Sequence, residues 1–168
     1  YFHDQPRGAG LEAGVIDPAA LEDRNVVVFA SHSHGDHYNP CIFRWREQIG
    51  QIRYLLSDDI QAKQQAIFLH QGQTVDLGDL RLRTLASTDE GVAFLVTCDG
   101  GCLYHAGDLN WWHWSGESEQ YNAQMQKDYC AQINLLRGEK VDVAFVPVDP
   151  RLGEQALWGI HYFMQTVG

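Results

Sequence analysis

Three of the chain's eight histidines and one aspartate fall within six residues, His32-Ser33-His34-Gly35-Asp36-His37. In an extended segment, residues two apart point to the same side, so His32 and His34 can meet on one ion. Gly35 permits a sharp bend, after which Asp36 and His37 can face a second ion beside the first. Imidazole combined with carboxylate suits zinc, iron or manganese. The competing reading is a polar loop that happens to be rich in histidine; imidazoles packed this tightly favour the metal. Asp108 is the next residue of interest, at the end of Leu103-Tyr104-His105-Ala106-Gly107-Asp108. Taken alone, an aspartate after glycine is an ordinary turn residue.

These groups need elements to hold them. The histidines follow an apolar run, Val26-Val27-Val28-Phe29-Ala30, which reads as a buried strand over 25–30. Before it, Asp17-Pro18 starts a short helix over 18–22, with Asp17 as N-cap; residues 1–14 read as loop. After it, Asn39-Pro40 opens a helix over 41–48 that Gly50 stops. A strand is expected over 52–56. Ser57-Asp58-Asp59 can then cap a helix over 60–68. Two hairpins follow: 73–77 with 80–85 around Gly78-Asp79, and 91–98 with 102–106. The stretch 117–136 is helical, with apolar residues too sparse for a buried helix. A buried strand over 141–148 ends at Asp149-Pro150, and a last helix spans 155–166. Strand–helix alternation mixed with hairpins predicts an α/β or α+β layered protein.

The 168 residues make one domain able to bury a substantial core. An apolar content of 45% with 20% charged residues is ordinary for a globular protein. No apolar run approaches the ~20 residues of a membrane helix. No signal peptide is visible, although the chain starts at Tyr1 rather than Met, and a cytoplasmic location without membrane association is expected. The net charge of −10 disfavours nucleic acid, whose binding rests on Lys and Arg at phosphates; bound metal ions would offset this locally. Cys41, Cys98, Cys102 and Cys130 follow no zinc-ribbon or disulfide spacing, so buried free thiols are expected. Cys98 and Cys102 flank a hairpin turn, where a cross-strand disulfide is the alternative.

The pattern His-x-His-x-Asp-His directly after a strand resembles the metallo-β-lactamase superfamily, and the Gly107-Asp108 strand end strengthens the match. The flanking text resembles one subgroup of small metal-dependent hydrolases related to the lactonase-like branch. That text is Ser87-Thr88-Asp89-Glu90-Gly91-Val92 and Leu109-Asn110-Trp111-Trp112-His113-Trp114. The resemblance runs from about Val26 to Phe163. It implies an αββα sandwich with metals at one edge, and hydrolysis by metal-bound hydroxide of a small-molecule ester, lactone, amide or phosphoester. It also implies that Asp108 bridges two metals. It further implies a hairpin before the first residues and a strand with a ligand histidine after the last helix. This chain has neither, so it is expected to be incomplete at both ends. The superfamily commonly carries another ligand histidine where Ser87-Thr88-Asp89 stands here; Asp89 is the candidate replacement.

The expected ligands are therefore His32 and His34 on one zinc ion, Asp36 and His37 on another, and Asp108 between them, with manganese or iron as alternatives. Asp36 is also the catalytic candidate, orienting the attacking water. Trp112, His113 and Arg151 are candidates for contact with a small-molecule substrate. Each has a structural alternative: core packing for the tryptophans, a hydrogen bond for His113, and pairing with Asp149 for Arg151. His105 is expected beside the site or in the core, His161 on the last helix outside it, and His3 and His70 in solvent. The alternative functions are a metal-binding domain with little catalysis and a nuclease of the same superfamily. No oligomeric state is predicted.

Overall fold

The computed structural model describes residues 16–168; the expectations for residues 1–14, and that for His3, lie outside them. The chain divides into two compact units, Tyr1–Leu69 and His70–Gly168.

In the first unit, strand β1 (Asn25–Ala30) pairs in parallel with β2 (Gln51–Ser57), and β2 with β3 (Ile67–Leu69). Parallel strands need a crossover, and one turn-rich segment supplies the first. It contains a 3-10 helix over Pro40–Glu47, whose Asn39 side chain accepts from the Cys41 N–H. Ile42, Phe43 and Trp45 from this helix pack with Val28, Tyr54 and Leu56 from the strands. The expected helix over 41–48 thus forms in the tighter 3-10 geometry. The short helix expected over 18–22 is likewise 3-10, at Pro18–Leu21, with Asp17 capping Ala19.

The helix expected over 60–68 is absent. Residues 67–69 pair instead with Leu55–Ser57, which buries Leu69 completely. The presumed cap is engaged elsewhere: the Asp59 carboxylate accepts from the Ser33 N–H at 2.7 Å, and the Asp58 N–H donates to the Leu69 carbonyl. With the capping oxygen drawn away and a strand edge open to pairing, tertiary contacts override a helix-compatible sequence.

The second unit holds a five-stranded sheet in chain order, β4 (Thr74–Asp76), β5 (Leu80–Ala86), β6 (Val92–Cys98), β7 (Gly101–His105) and β8 (Val143–Phe145). β4 to β7 are antiparallel, as both hairpin signals required. Thr97, not Cys98, stands opposite Cys102, and none of the four cysteines forms a disulfide; Cys41 is buried, whereas Cys98 is exposed at its turn. β8 returns parallel to β7 through α1 (Glu119–Asn134), capped by the Ser118 hydroxyl. Tyr129 and Ile133 of α1 pack with Leu85, Leu95 and Tyr104 of the sheet, and few other α1 side chains are buried, as its composition indicated. The expected helix over 155–166 is a 3-10 segment, Pro150–Leu157, running into α2 (Trp158–Val167). α2 adds Phe163, stacked on Tyr104 at 5.1 Å.

The segment 141–148, expected as a buried strand, keeps only three strand residues, and these are exposed. β8 is the sheet's last strand, and Val143 and Phe145 stay about half exposed while Val141 and Val146 pack against the core. Its apolar run reflects the packing of its flanks, not enclosure on both faces.

Gly159, at the start of α2, marks a close approach. A Cβ there would collide with the Asn110 side-chain oxygen, while the Gly159 carbonyl accepts from the buried Tyr129 hydroxyl at 2.7 Å. Gly159→Ala should therefore destabilise the protein by about 1–3 kcal/mol, the usual cost of overpacking. The check is a urea titration, in which the midpoint falls and the slope is unchanged.

Candidate metal-ligand residues

The histidine motif leaves the carboxyl end of β1. Because β1 and β2 are parallel, their carboxyl ends share one edge, and Asp59 just beyond β2 reaches the motif. Its charge-assisted bond to the Ser33 N–H fixes the backbone between the two leading histidines. Burial works against the Asp59 charge, but the Ser57 hydroxyl and the Ser33 N–H outweigh it and hold the carboxyl below its ordinary pKa. Two further bonds close the turn, from the His37 and Tyr38 N–H groups to the His34 carbonyl at 2.9 and 2.8 Å.

Within this turn the three imidazoles cluster. The His32 ring lies 4.6 Å from that of His34 and 4.1 Å from that of His37, centroid to centroid. His32 is fully buried, His34 exposed and His37 half-buried. The Ser31 hydroxyl lies 3.1 Å from His32 Nδ1 and 3.4 Å from His37 Nδ1. The exposed Asp36 carboxylate stands 3.8 Å from His37 Nε2. Two ligands on one tetrahedral zinc, each bonded at about 2.1 Å, sit about 3.4 Å apart. The Asp36–His37 spacing is close to that value, and the donor types are those zinc accepts. The residues present fit a metal.

Asp108 follows β7 through Gly107, whose φ of 54° turns the chain left-handed where a Cβ would be strained. The Leu109 N–H closes this turn on the Ala106 carbonyl at 3.0 Å. His105, expected to be buried or beside the site, is exposed, and its Nδ1 accepts from the Gly107 N–H at 3.0 Å. Two side chains then hold the Asp108 backbone. The Trp112 indole donates to the Asp108 carbonyl at 3.0 Å, and the Thr88 hydroxyl lies 3.5 Å from the same oxygen. Thr88 also donates to the Asn110 carbonyl at 2.7 Å and accepts from the Asn110 N–H at 3.0 Å. Where a ligand histidine was sought near Thr88, this chain thus has a hydroxyl that clasps the 108–110 turn. Asp89 is exposed, its N–H on the Ser87 hydroxyl.

The structure gives each remaining candidate the following surroundings. Trp112 is 9% exposed, stacked on Trp114 and packed on Leu152 and Ala156. His113 meets the Trp158 ring edge-on at 4.9 Å. Arg151 grips Asp149 with its guanidinium, Nε to Oδ2 at 2.8 Å, and lies over the Trp114 ring. His161 and His70 are exposed. Sequence reasoning missed Ser31 and Asp59. Ser31 carries no signal beyond adjacency to the motif, and Asp59 was read as a helix cap.

No family model matches the chain. A UPF0173 metal-dependent hydrolase of Alkaliphilus metalliredigens (strain QYMF) is 27% identical over 138 residues, covering 72% of this chain and 54% of that protein. The chain thus spans about half the length of the curated relative it matches. Among solved structures, a "putative metal-dependent hydrolase" of Parabacteroides distasonis ATCC 8503 aligns with a TM-score of 0.56 at 18% identity. That match covers 79% of this chain and 57% of the other. A metallo-β-lactamase from Cronobacter sakazakii, carrying several substitutions, aligns at 0.48 and 17%, covering 87% and 73%. At such identities a likeness speaks for the fold alone. The chain has a mixed α/β fold, shared with the Parabacteroides distasonis protein.

Two outcomes follow from the bonds that hold these turns. Thr88→Val keeps the shape but strips the Asn110 N–H and carbonyl of their partner, and should cost about 1–3 kcal/mol; Thr88→Ser should cost far less. Chemical denaturation of both variants makes the comparison. For Asp59, a folded-state pKa held below its unfolded value means that the charged form stabilises the fold above the unfolded value. That stability disappears as pH falls from about 4 through the depressed value. The stability gap between the native protein and Asp59→Asn should accordingly be constant near neutrality and close in acid, as read by thermal unfolding at stepped pH.

Proposed function

We propose that the chain is the metal-binding part of a hydrolase that cleaves an ester, lactone, amide or phosphoester bond in a small molecule. The carrying observation is the cluster of three imidazoles at the end of β1, with Asp36 at ligand spacing from His37. Support comes from the relatives of like sequence and fold, which are named as metal-dependent hydrolases. In this reading, which follows the sequence motifs, His32 and His34 serve one ion. Asp36 and His37 serve a second ion, and Asp108 is shared. Zinc is the ion these donors suit best, with manganese or iron as alternatives.

When bound, such an ion acidifies water toward neutrality and polarises a carbonyl or phosphoryl oxygen. The chain's own residues do the rest. His32 is buried and His37 half-buried, whereas His34 and Asp36 are exposed and would meet a substrate arriving from solvent. Asp36, through its carboxylate, orients the attacking water and accepts its proton. No helix among the described residues is long and apolar enough to cross a membrane. We place the protein in the cytoplasm, acting on a dissolved small molecule and not on nucleic acid, whose phosphates its net charge of −10 repels.

The test is a panel of simple lactones, esters, amides and phosphodiesters, assayed with zinc, manganese or iron added and then chelated. Hydrolysis should appear with metal, vanish with chelator, and fall at least about 100-fold in Asp36→Asn, as expected for a lost general base. Metal binding without hydrolysis of any substrate would leave a non-catalytic metal domain; cleavage of single-stranded DNA alone would point to a nuclease.

A further inference from the structure

Ser31 immediately precedes the histidine motif, is 4% exposed, and places one hydroxyl oxygen against two imidazoles. Both contacts are to Nδ1, at 3.1 Å for His32 and 3.4 Å for His37. The two rings lie 4.1 Å apart and are tilted by 34°. A serine hydroxyl has one proton to donate and two lone pairs that accept. It can therefore accept from both Nδ1–H groups at once, or accept from one and donate to the other.

The two arrangements differ in chemistry. If Ser31 donated to one Nδ1, that imidazole would carry its proton on Nε2 and could not ligate there. If it accepts from both, each ring carries its proton on Nδ1, and each Nε2 keeps a lone pair. The position of Asp36 favours the second arrangement: its carboxylate stands 3.8 Å from His37 Nε2, at ligand spacing and beyond hydrogen-bond length. Ligating histidines generally give their other ring N–H to an oxygen that fixes tautomer and orientation. Here a single buried oxygen would serve two of them.

We propose that Ser31 is a positioning residue that sets the Nδ1–H tautomer of both His32 and His37, and so couples the ligands assigned to the two ions. This rests on the metal-centre reading above, and it makes a claim that can be tested without metal. Its hydroxyl touches neither ion nor substrate; it acts through the imidazoles.

Two measurements decide it. The first is proton–nitrogen NMR of the metal-free protein above the imidazole titration range, which reports the protonated ring nitrogen. His32 and His37 should both show Nδ1–H in the native protein and in Ser31→Thr, and should move toward the commoner Nε2–H form in Ser31→Ala. The second is zinc affinity by competition with a chromogenic chelator. Ser31→Ala should bind zinc about 10–100-fold less tightly, the usual effect of removing such a partner, and Ser31→Thr should recover most of the loss. Far-ultraviolet circular dichroism confirms that each variant is folded. Unchanged zinc affinity in folded Ser31→Ala would overturn the inference, as would Nε2–H on either imidazole of the native protein. If the native protein shows both Nδ1–H tautomers and binds no zinc, the metal reading fails while the tautomer assignment stands on the NMR result.

Discussion

A fully buried imidazole at the end of an apolar strand must have its polar atoms engaged, because an unsatisfied polar group away from water costs more than a hydrogen bond returns. His32 is that imidazole. Ser31 engages its Nδ1, while the Asp59 carboxylate holds the next backbone N–H and the His34 carbonyl closes the turn on His37 and Tyr38. The parallel pairing of β1 with β2 makes this possible, since it brings residues 26 positions apart in the chain to one edge of the sheet. The placement of the histidines is set by backbone and hydroxyl contacts beneath them as much as by the histidines themselves.

Asp108 is held by the same kind of device in the other unit. Its carboxylate is carried on a left-handed glycine turn whose N–H groups and carbonyls are occupied by His105, Thr88 and Trp112. Trp112 joins Leu152 and Ala156 in a small apolar cluster while its indole N–H anchors the turn. Trp111 packs among Tyr129, Trp158 and Tyr162. Gly159 and Asn110 meet so closely that the start of α2 and the 108–110 turn constrain each other.

Arg151 shows how position and availability differ. It stands beyond the carboxyl end of β8, where ligands of α/β sheets gather, yet its fork is occupied by Asp149 two residues earlier. Asp149 also accepts from the Arg151 backbone N–H, as Asp17 does from the Ala19 N–H and Asn39 from the Cys41 N–H, a repeated local motif in which an Asp or Asn before proline caps a 3-10 turn.

The sequence by itself determined the hairpins, the cap-and-proline starts, the apolar strand feeding the histidine motif, and the ligand types. Each rests on local chemistry: glycine turns, a side-chain oxygen two residues before a bare N–H, or the alternation of faces along a strand. Tertiary structure decided what local chemistry leaves open. Residues 60–68 have helix-forming composition, but the edge of β2 and the reach of Asp59 to Ser33 make them loop and strand. The apolar run at 141–148 cannot reveal that β8 ends its sheet with Val143 and Phe145 exposed. Nor can spacing alone reveal that Ser31 lies under two imidazoles or that Thr88 clasps Asn110, because hydroxyls are common and only the folded turns select the few that end within 3.5 Å of a partner. Periodicity records what each residue can bury; which partner it meets is a long-range matter that the packed chain alone resolves.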